Sequence, residues 1–437
     1  MPNTDSPGSV PRRPKLPERG TIQPKMITKR GRIATWKALA LLSVAVVLVV
    51  ILCGVWINSS IERKWGGMER RIGELRAISG RRSSSRPVLI GNPMPGNAWE
   101  NYMKAARILK QDGNVYSPSL GKREPRVREQ VLQYWGAGLQ NDQCLPSLSG
   151  GEMTADEILS ALLKILEAAV EQAERDRTKE ISPEVASALV RRYLDIARFA
   201  LDLGQNTNYG YVSISESAWE ESLSGLRDLL KSGPVEGPLL DQMDRALNTL
   251  DVSFPRFGGS LLNVAADEGD RLMNEDPCIK VYDLVNVQRI PIKPDWRYFY
   301  SMKLLKADVF FRFEEYAAAV SECEEKPWPD ALQKLRLLDT TLREHANPAD
   351  FPLISNKTLQ YLGRDIRTRI RLLRVAVRYL ATAQLLELED GYGEKLRQKV
   401  VEGRFKAWSV GRNGVDHGGV GNWTPTEGKD MVLEVER

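Results

Sequence analysis

Hydrophobic and polar positions alternate along this chain with a helical period almost everywhere, and one stretch has no alternation at all. Residues Ala38 to Ile57 form twenty consecutive positions without a charge. A helix rises about 1.5 Å per residue and a bilayer's hydrocarbon core is about 30 Å thick, so the run predicts one membrane crossing at 38–57. Trp36 and Trp56 stand at its two ends, where amphipathic rings settle at headgroup level. Ser43 and Cys53, the mildly polar side chains inside, can bond back onto helix carbonyls. The run is longer than a secretory apolar region, and it follows a 37-residue leader. A retained anchor therefore fits it better than a cleaved signal.

After the run, Asn58 to Leu75 predicts a charged helix or stalk, and Ser79 to Pro87 reads as a linker, so 58–86 forms a juxtamembrane segment. In the body, 87–400, Trp99, Tyr102, Met103, Ala106 and Leu109 recur at helical spacing. Thr154-Ala155-Asp156-Glu157 has the form of a capping box, and Ser182-Pro183 supplies an N-cap with proline at the first helical position. Further helices are expected over Ala218–Lys231, Gly237–Leu250, Leu261–Met273, Asp295–Cys323, Asp330–His345 and Lys357–Glu389. Their lengths differ and no 34-residue pattern recurs, which favours an irregular bundle over a solenoid. No β-branched alternation competes before the C-terminus.

The last segment, 401–437, changes character. Arg404–Val410 and Asp430–Val435 have strand composition and are separated by a loop rich in glycine and asparagine. An antiparallel hairpin packed on the helices is expected, since a lone hairpin is marginal in water. The fold class is therefore all-α: a single N-terminal transmembrane helix, an irregular helical-bundle ectodomain and a C-terminal β-hairpin.

Charge sets the orientation. The leader, 1–37, carries nine basic groups against Asp5 and Glu18 and is interleaved with prolines, which reads as a disordered cytoplasmic tail drawn to anionic lipid. Close to the span, Lys29, Arg30, Arg32 and Lys37 face only Arg63 and Lys64, so the positive-inside rule puts the N-terminus in the cytoplasm. The chain's net charge of +5 belongs to the segments flanking the membrane. The body is acidic, shows no basic-aromatic stripe, and is not expected to bind nucleic acid.

Chemistry is sparse. His345 and His417 are the two histidines. Cys144, Cys278 and Cys323, outside the membrane run, lack metal-ligand spacing and are expected mainly as buried thiols, with a disulfide as the alternative. No nucleophile elbow, phosphate loop or dinucleotide fingerprint occurs. Arg364, Arg367, Arg369, Arg371 and Arg374 crowd one predicted helix, where they could grip an anion or pair with neighbouring acids. No catalytic residue and no organic cofactor is assigned. Asn413, Asp416 and Asp430 could offer oxygen ligands to calcium, although the spacing fails the EF-hand pattern. The alternative is that they supply turns.

Trp408-Ser409-Val410-Gly411-Arg412-Asn413-Gly414-Val415-Asp416-His417-Gly418-Gly419, followed by Lys429-Asp430-Met431-Val432, resembles the C-terminal segment of membrane-anchored envelope proteins of planctomycete-like bacteria. It is also similar to the tail of type II secretion pseudopilins, whose loop holds calcium. Arg86 to Tyr102 resembles the start of such envelope proteins' soluble region. The membrane run lacks the prepilin-type Gly-Phe-Thr-Leu-x-Glu entry, and His417 stands where that family often has a second aspartate. The resemblance implies a bacterial inner-membrane protein with the bulk of the chain in the periplasm. It would contact the bilayer through 38–57 and protein partners in the envelope, acting without catalysis. The alternatives are a carboxylate-dependent hydrolase of envelope polymers and a divergent pseudopilin-related component.

Overall fold

The computed structural model describes residues 29–82, 89, 93–111, 125–144, 153–178, 181–205, 209–232, 235–254, 257–274, 302–324, 326–345, 356–424 and 428–436. The expectations for the leader up to residue 28, for linker residues 83–87, for Cys278 and for the helix start at Asp295 lie outside them. The described chain is mostly helical, with a small C-terminal sheet. It divides into two units, Met1–Glu62 and Arg63–Arg437.

In the first unit the helix α1 (Lys29–Arg82) carries the whole apolar run. It is long and apolar enough to cross a membrane, and none of its most apolar stretch is buried. Ser43 Oγ turns back onto Leu39 O and Ala40 O at 2.9 and 3.0 Å, which satisfies the hydroxyl inside the helix.

The second unit begins with the end of α1, where the expected charged helix over Asn58–Leu75 is present but is docked rather than a solvated stalk, and it continues through Ser79–Arg82, which read as linker. Met68, Ile72 and Leu75 are buried in a small apolar cluster with Ala266 and Leu272 of α8 (Phe257–Asn274) and Ala307 and Phe310 of α9 (Met302–Cys323). Ion pairs ring it: Lys64 with Asp308, Arg71 with Glu314 at 2.8 Å, and Arg76 with Asp270. The charges that suggested a solvated stalk are the rim of a helix whose Met-x-x-x-Ile-x-x-Leu face is core. Gly269 permits the contact, since a Cβ there would lie 2.7 Å from Ile72 Cδ1.

The larger core joins α2 (Ala98–Gln111), α3 (Pro125–Leu139), α4 (Ala155–Arg177), α5 (Pro183–Gly204), α6 (Tyr209–Ser232), α7 (Gly237–Val252), α10 (Trp328–His345) and α11 (Asn356–Thr382) with parts of α8 and α9, among them Leu261, Phe313 and Val320. Thr154 Oγ1 accepts from Glu157 N while Glu157 accepts from Thr154 N at 2.8 Å, so the capping box forms. Ser182 caps α5 through Val185 N. Helices α5 and α6 approach closely because Gly225 lies against the Tyr193 ring, and Ser215 and Ser222 donate to Ala200 O and Tyr193 O, each at 2.7 Å. Helix α3 was not expected. Its buried side is only Arg128, Val131, Trp135 and Gly138, too thin an apolar stripe to register as a period.

Two short strands precede the C-terminus, against expectation: β1 (Met94–Asn97) pairs in parallel with β2 (Asn141–Gln143). Their residues are proline, glycine and amides rather than β-branched, and Gly96 adopts a φ of +147° where a Cβ would meet the Asn141 side chain. The expected pairing of β4 (Arg404–Ser409) with β6 (Asp430–Glu436) is present and antiparallel. Added to it are β3 (Arg397–Val401) and β5 (Gly421–Asn422), giving the order β3-β4-β6-β5 with β5 parallel to β6. Helix α11 stops at Thr382, well short of Glu389, where Ala383 takes a φ of +59°. The sheet docks through Phe405, stacked on Tyr379 of α11 at 4.5 Å between ring centroids.

Candidate functional site: the glycine loop and the polar network beneath it

Beyond α11 the chain doubles back, and Gly391 presses so closely on that helix that a Cβ would collide with Arg364 O. Gly391 N donates to Thr368 Oγ1 at 2.8 Å. This fold-back buries two carboxylates. Asp390 accepts from Tyr392 N at 2.8 Å, Glu394 N at 2.9 Å and Ser409 Oγ at 2.5 Å, and Ser409 Oγ in turn accepts from Gly411 N at 2.9 Å. Burial pushes the Asp390 carboxyl above its ordinary value, with these hydrogen bonds opposing. Asp365 of α11 accepts from the Tyr392 hydroxyl and from the Arg412 guanidinium. The Tyr392 hydroxyl is raised well above its ordinary value, by burial first and by the Asp365 charge second.

Arg412 also lies 4.4 Å over the Tyr361 ring, and its carbonyl accepts from Trp328 Nε1 at 2.9 Å. Arg364 stacks on the other side of the motif, 5.1 Å from the Trp328 ring. It donates to the carbonyls of Cys323, Lys326 and Gly391 at 3.0, 2.9 and 3.1 Å. Guanidiniums suit this task because their planar fork meets several carbonyls while its face rests on an aromatic ring.

The three residues singled out as calcium ligands all occupy the loop above this network. Asn413 Oδ1 accepts from Val415 N at 3.0 Å. Asp416 accepts from Trp408 Nε1 at 3.0 Å and Gly418 N at 2.8 Å, bonds that hold its carboxyl below the usual range. Asp430 is wholly buried, accepts from the backbone of His417 and from Gly419 N at 2.8 Å, and lies 3.2 Å from His417 Nδ1. Asp430 is thus spent on backbone amides and on His417, while Asp416 takes an indole and one amide on Oδ1 and faces Arg397 with Oδ2 at 3.7 Å. Among the described residues no group of three or more His, Cys, Asp or Glu is placed to hold a metal ion.

Gly411, Gly414, Gly418 and Gly419 all take positive φ, and Gly419 passes so close to Trp408 that a Cβ would meet its ring at 3.2 Å. The loop's far end is pinned by buried Trp423, whose Nε1 donates to Ser224 Oγ at 3.2 Å between Arg227 and Arg369.

The remaining candidates are dispersed. Arg369 pairs with Glu220, and Arg367, Arg371 and Arg374 converge on Asp251 of α7. Cys144 and Cys323 are both buried. His345 lies in the last turn of α10. Partial desolvation raises Glu216, with Arg369 opposing and the Glu220 and Asp365 charges adding. The network residues Asp365, Asp390, Tyr392 and Ser409 escaped sequence reasoning. Tyr392 reaches Asp365 across 27 positions and Ser409 reaches Asp390 across 19. No family model, curated protein or solved structure matches the chain.

Proposed function

We propose that this chain is a single-pass, membrane-anchored protein of the bacterial cell envelope that works by protein contact and support rather than by catalysis. Residues 38–57 would cross the inner membrane as an uncleaved signal-anchor, with 1–37 cytoplasmic and the body periplasmic. What carries the reading is the uncovered apolar run of α1, which finds no partner among the described residues; lipid would satisfy it at about 25 cal/mol per Å² of apolar surface. The contact role draws support from the spent state of the buried carboxylates. Asp365, Asp390 and Asp430 each hold protein donors in place, which suits a rigid C-terminal scaffold.

Alkaline phosphatase fused after Arg437 tests the topology. Active enzyme is expected, with the chain resisting alkaline extraction from membranes. Inactive phosphatase, with activity from a cytoplasmic reporter at the same position, would overturn it.

A further inference from the structure

Two junctions among the described residues join an Asp or Asn to a glycine, Asp390-Gly391 and Asn413-Gly414. Such a junction can close on itself, because glycine lacks the Cβ that would shield its amide nitrogen from the neighbouring side-chain carbonyl. In both, the first side chain folds back along the chain. Asp390 Oδ1 accepts from Tyr392 N at 2.8 Å, and Asn413 Oδ1 accepts from Val415 N at 3.0 Å.

The two differ in what holds the glycine. Gly391 N is committed to Thr368 Oγ1 at 2.8 Å, its backbone is pressed on Arg364 O, and Asp390 is 1% exposed. Gly414 N reaches only Gly411 O, at 3.4 Å, longer than an ordinary amide hydrogen bond. Asn413, Gly414 and Val415 are all exposed, and nothing lies within 4 Å of where a Gly414 Cβ would stand.

We infer that Asn413-Gly414 is a self-modification site, at which the side-chain amide is lost and the loop backbone is open to rearrangement. Gly414 N, giving its proton to solvent base, adds to Asn413 Cγ. The developing charge falls on Oδ1, where the Val415 amide already donates, in the manner of an oxyanion hole. The Cγ–Nδ2 bond then breaks, and the nitrogen takes up a proton and leaves as ammonia. Water opens the resulting five-membered imide. Cleavage of the new Cγ–N bond gives aspartate, and cleavage of the original peptide bond gives isoaspartate. Either product places a new negative charge close in sequence to Asp416. Isoaspartate also adds a methylene to the backbone directly after Arg412, whose guanidinium holds Asp365 and whose carbonyl takes Trp328 Nε1. The reaction therefore loosens the loop from the network beneath it.

The test ages the purified full chain in detergent at mildly alkaline pH. Digestion in acid with a glutamyl endopeptidase then releases 403–427, which holds Asn413 and Asn422 together. Mass spectrometry should show Asn413 losing its amide roughly tenfold or more faster than Asn422, whose successor is Trp423 rather than glycine. Asp390-Gly391 should stay unrearranged in the folded chain and form isoaspartate once urea unfolds it. Asn413→Gln, which leaves every glycine in place, should abolish the mass gain, and a gain that persists would put the reaction elsewhere and overturn the inference. No amide loss at Asn413 in the folded chain, whether or not urea restores it, would also overturn it. So would isoaspartate forming as fast at Asp390 as at Asn413 in the folded chain, since burial and the Thr368 bond would then decide nothing.

Discussion

Met68→Ala separates a docked helix from a solvated stalk. Met68 is fully buried in the small cluster shared by α1, α8 and α9. The substitution removes three heavy atoms, worth about 0.8 kcal/mol per methylene-sized group in transfer alone. The cavity adds to this, and buried Met-to-Ala changes cost roughly 2–5 kcal/mol. The cluster is small and bordered by Gly269, so partial collapse keeps the expected loss near the low end, about 2–3 kcal/mol.

At about 1.4 kcal/mol per tenfold change, that loss raises the population with this helix detached by roughly 30- to 150-fold. Native-state proteolysis of the full chain in detergent reads it out as faster cleavage at Lys64, Arg70 or Arg71, since cleavage follows the open population when closing is fast. Glu69→Ala, one residue away on the exposed side, is the control and should change cleavage little. If Met68→Ala and Glu69→Ala behave alike, the helix is not held by this cluster and the reasoning fails.

Asp195 on α5 is pushed up to about 6 by burial, against the opposing charges of Arg192, Arg191 and Arg198. The unfolded chain ionises near 3.8 while the folded one stays protonated to about 6. Its contribution to stability therefore falls as pH rises between those values and is flat above. Asp195→Asn should remove that slope and raise stability at pH 7–8 by an amount on the order of 1–3 kcal/mol in urea denaturation; no gain at neutral pH would contradict the assignment. Asp430→Ala leaves the amides of His417 and Gly419 without their acceptor and should lower thermal stability by about 2–4 kcal/mol, whereas an unchanged melting temperature would show the loop does not depend on it. Millimolar calcium added to chelated protein should leave the melting temperature unchanged, because the Asp430 oxygens already hold amides and those of Asp416 hold an indole, an amide and Arg397. A rise that Asp416→Ala abolishes would instead establish a cation site.

How far the architecture could be read in advance depended on whether its signal was local. Thr154 and Ser182 announce helices because a cap is complete within four residues. Strand β4 was legible from Phe405 and Ala407, and β6 from Met431, Leu433 and Val435, since they face a core. Strand β3 reads Arg-Gln-Lys-Val-Val and was missed. It is an edge strand, and the lysine and arginine that hide it are the residues that keep an edge from pairing with other chains. At the site, Asp416 and Asp430 were recognised as turn or ligand oxygens, which is what a glycine loop makes visible. Asp365, Tyr392 and Arg412 were not, because nothing in a helix heptad or a polar coil says that a tyrosine hydroxyl will find an aspartate 27 positions back in the preceding helix.

The strand order β3-β4-β6-β5 has a consequence for how the molecule is made. Asp430–Glu436 forms an inner strand, flanked on one side by β4 and on the other by β5, yet it is synthesised after both. Until Asp430–Glu436 is present, Phe405 and Ala407 sit in a two-stranded β3–β4 ribbon whose β4 edge is unpaired, and such a ribbon is marginal in water. A chain stopped before Asp430 would therefore lose the middle of its sheet rather than a margin, leaving β4 unpaired along one side. Ribosome stalling or a premature stop near this point should yield a product with intact helices and an open, protease-sensitive sheet.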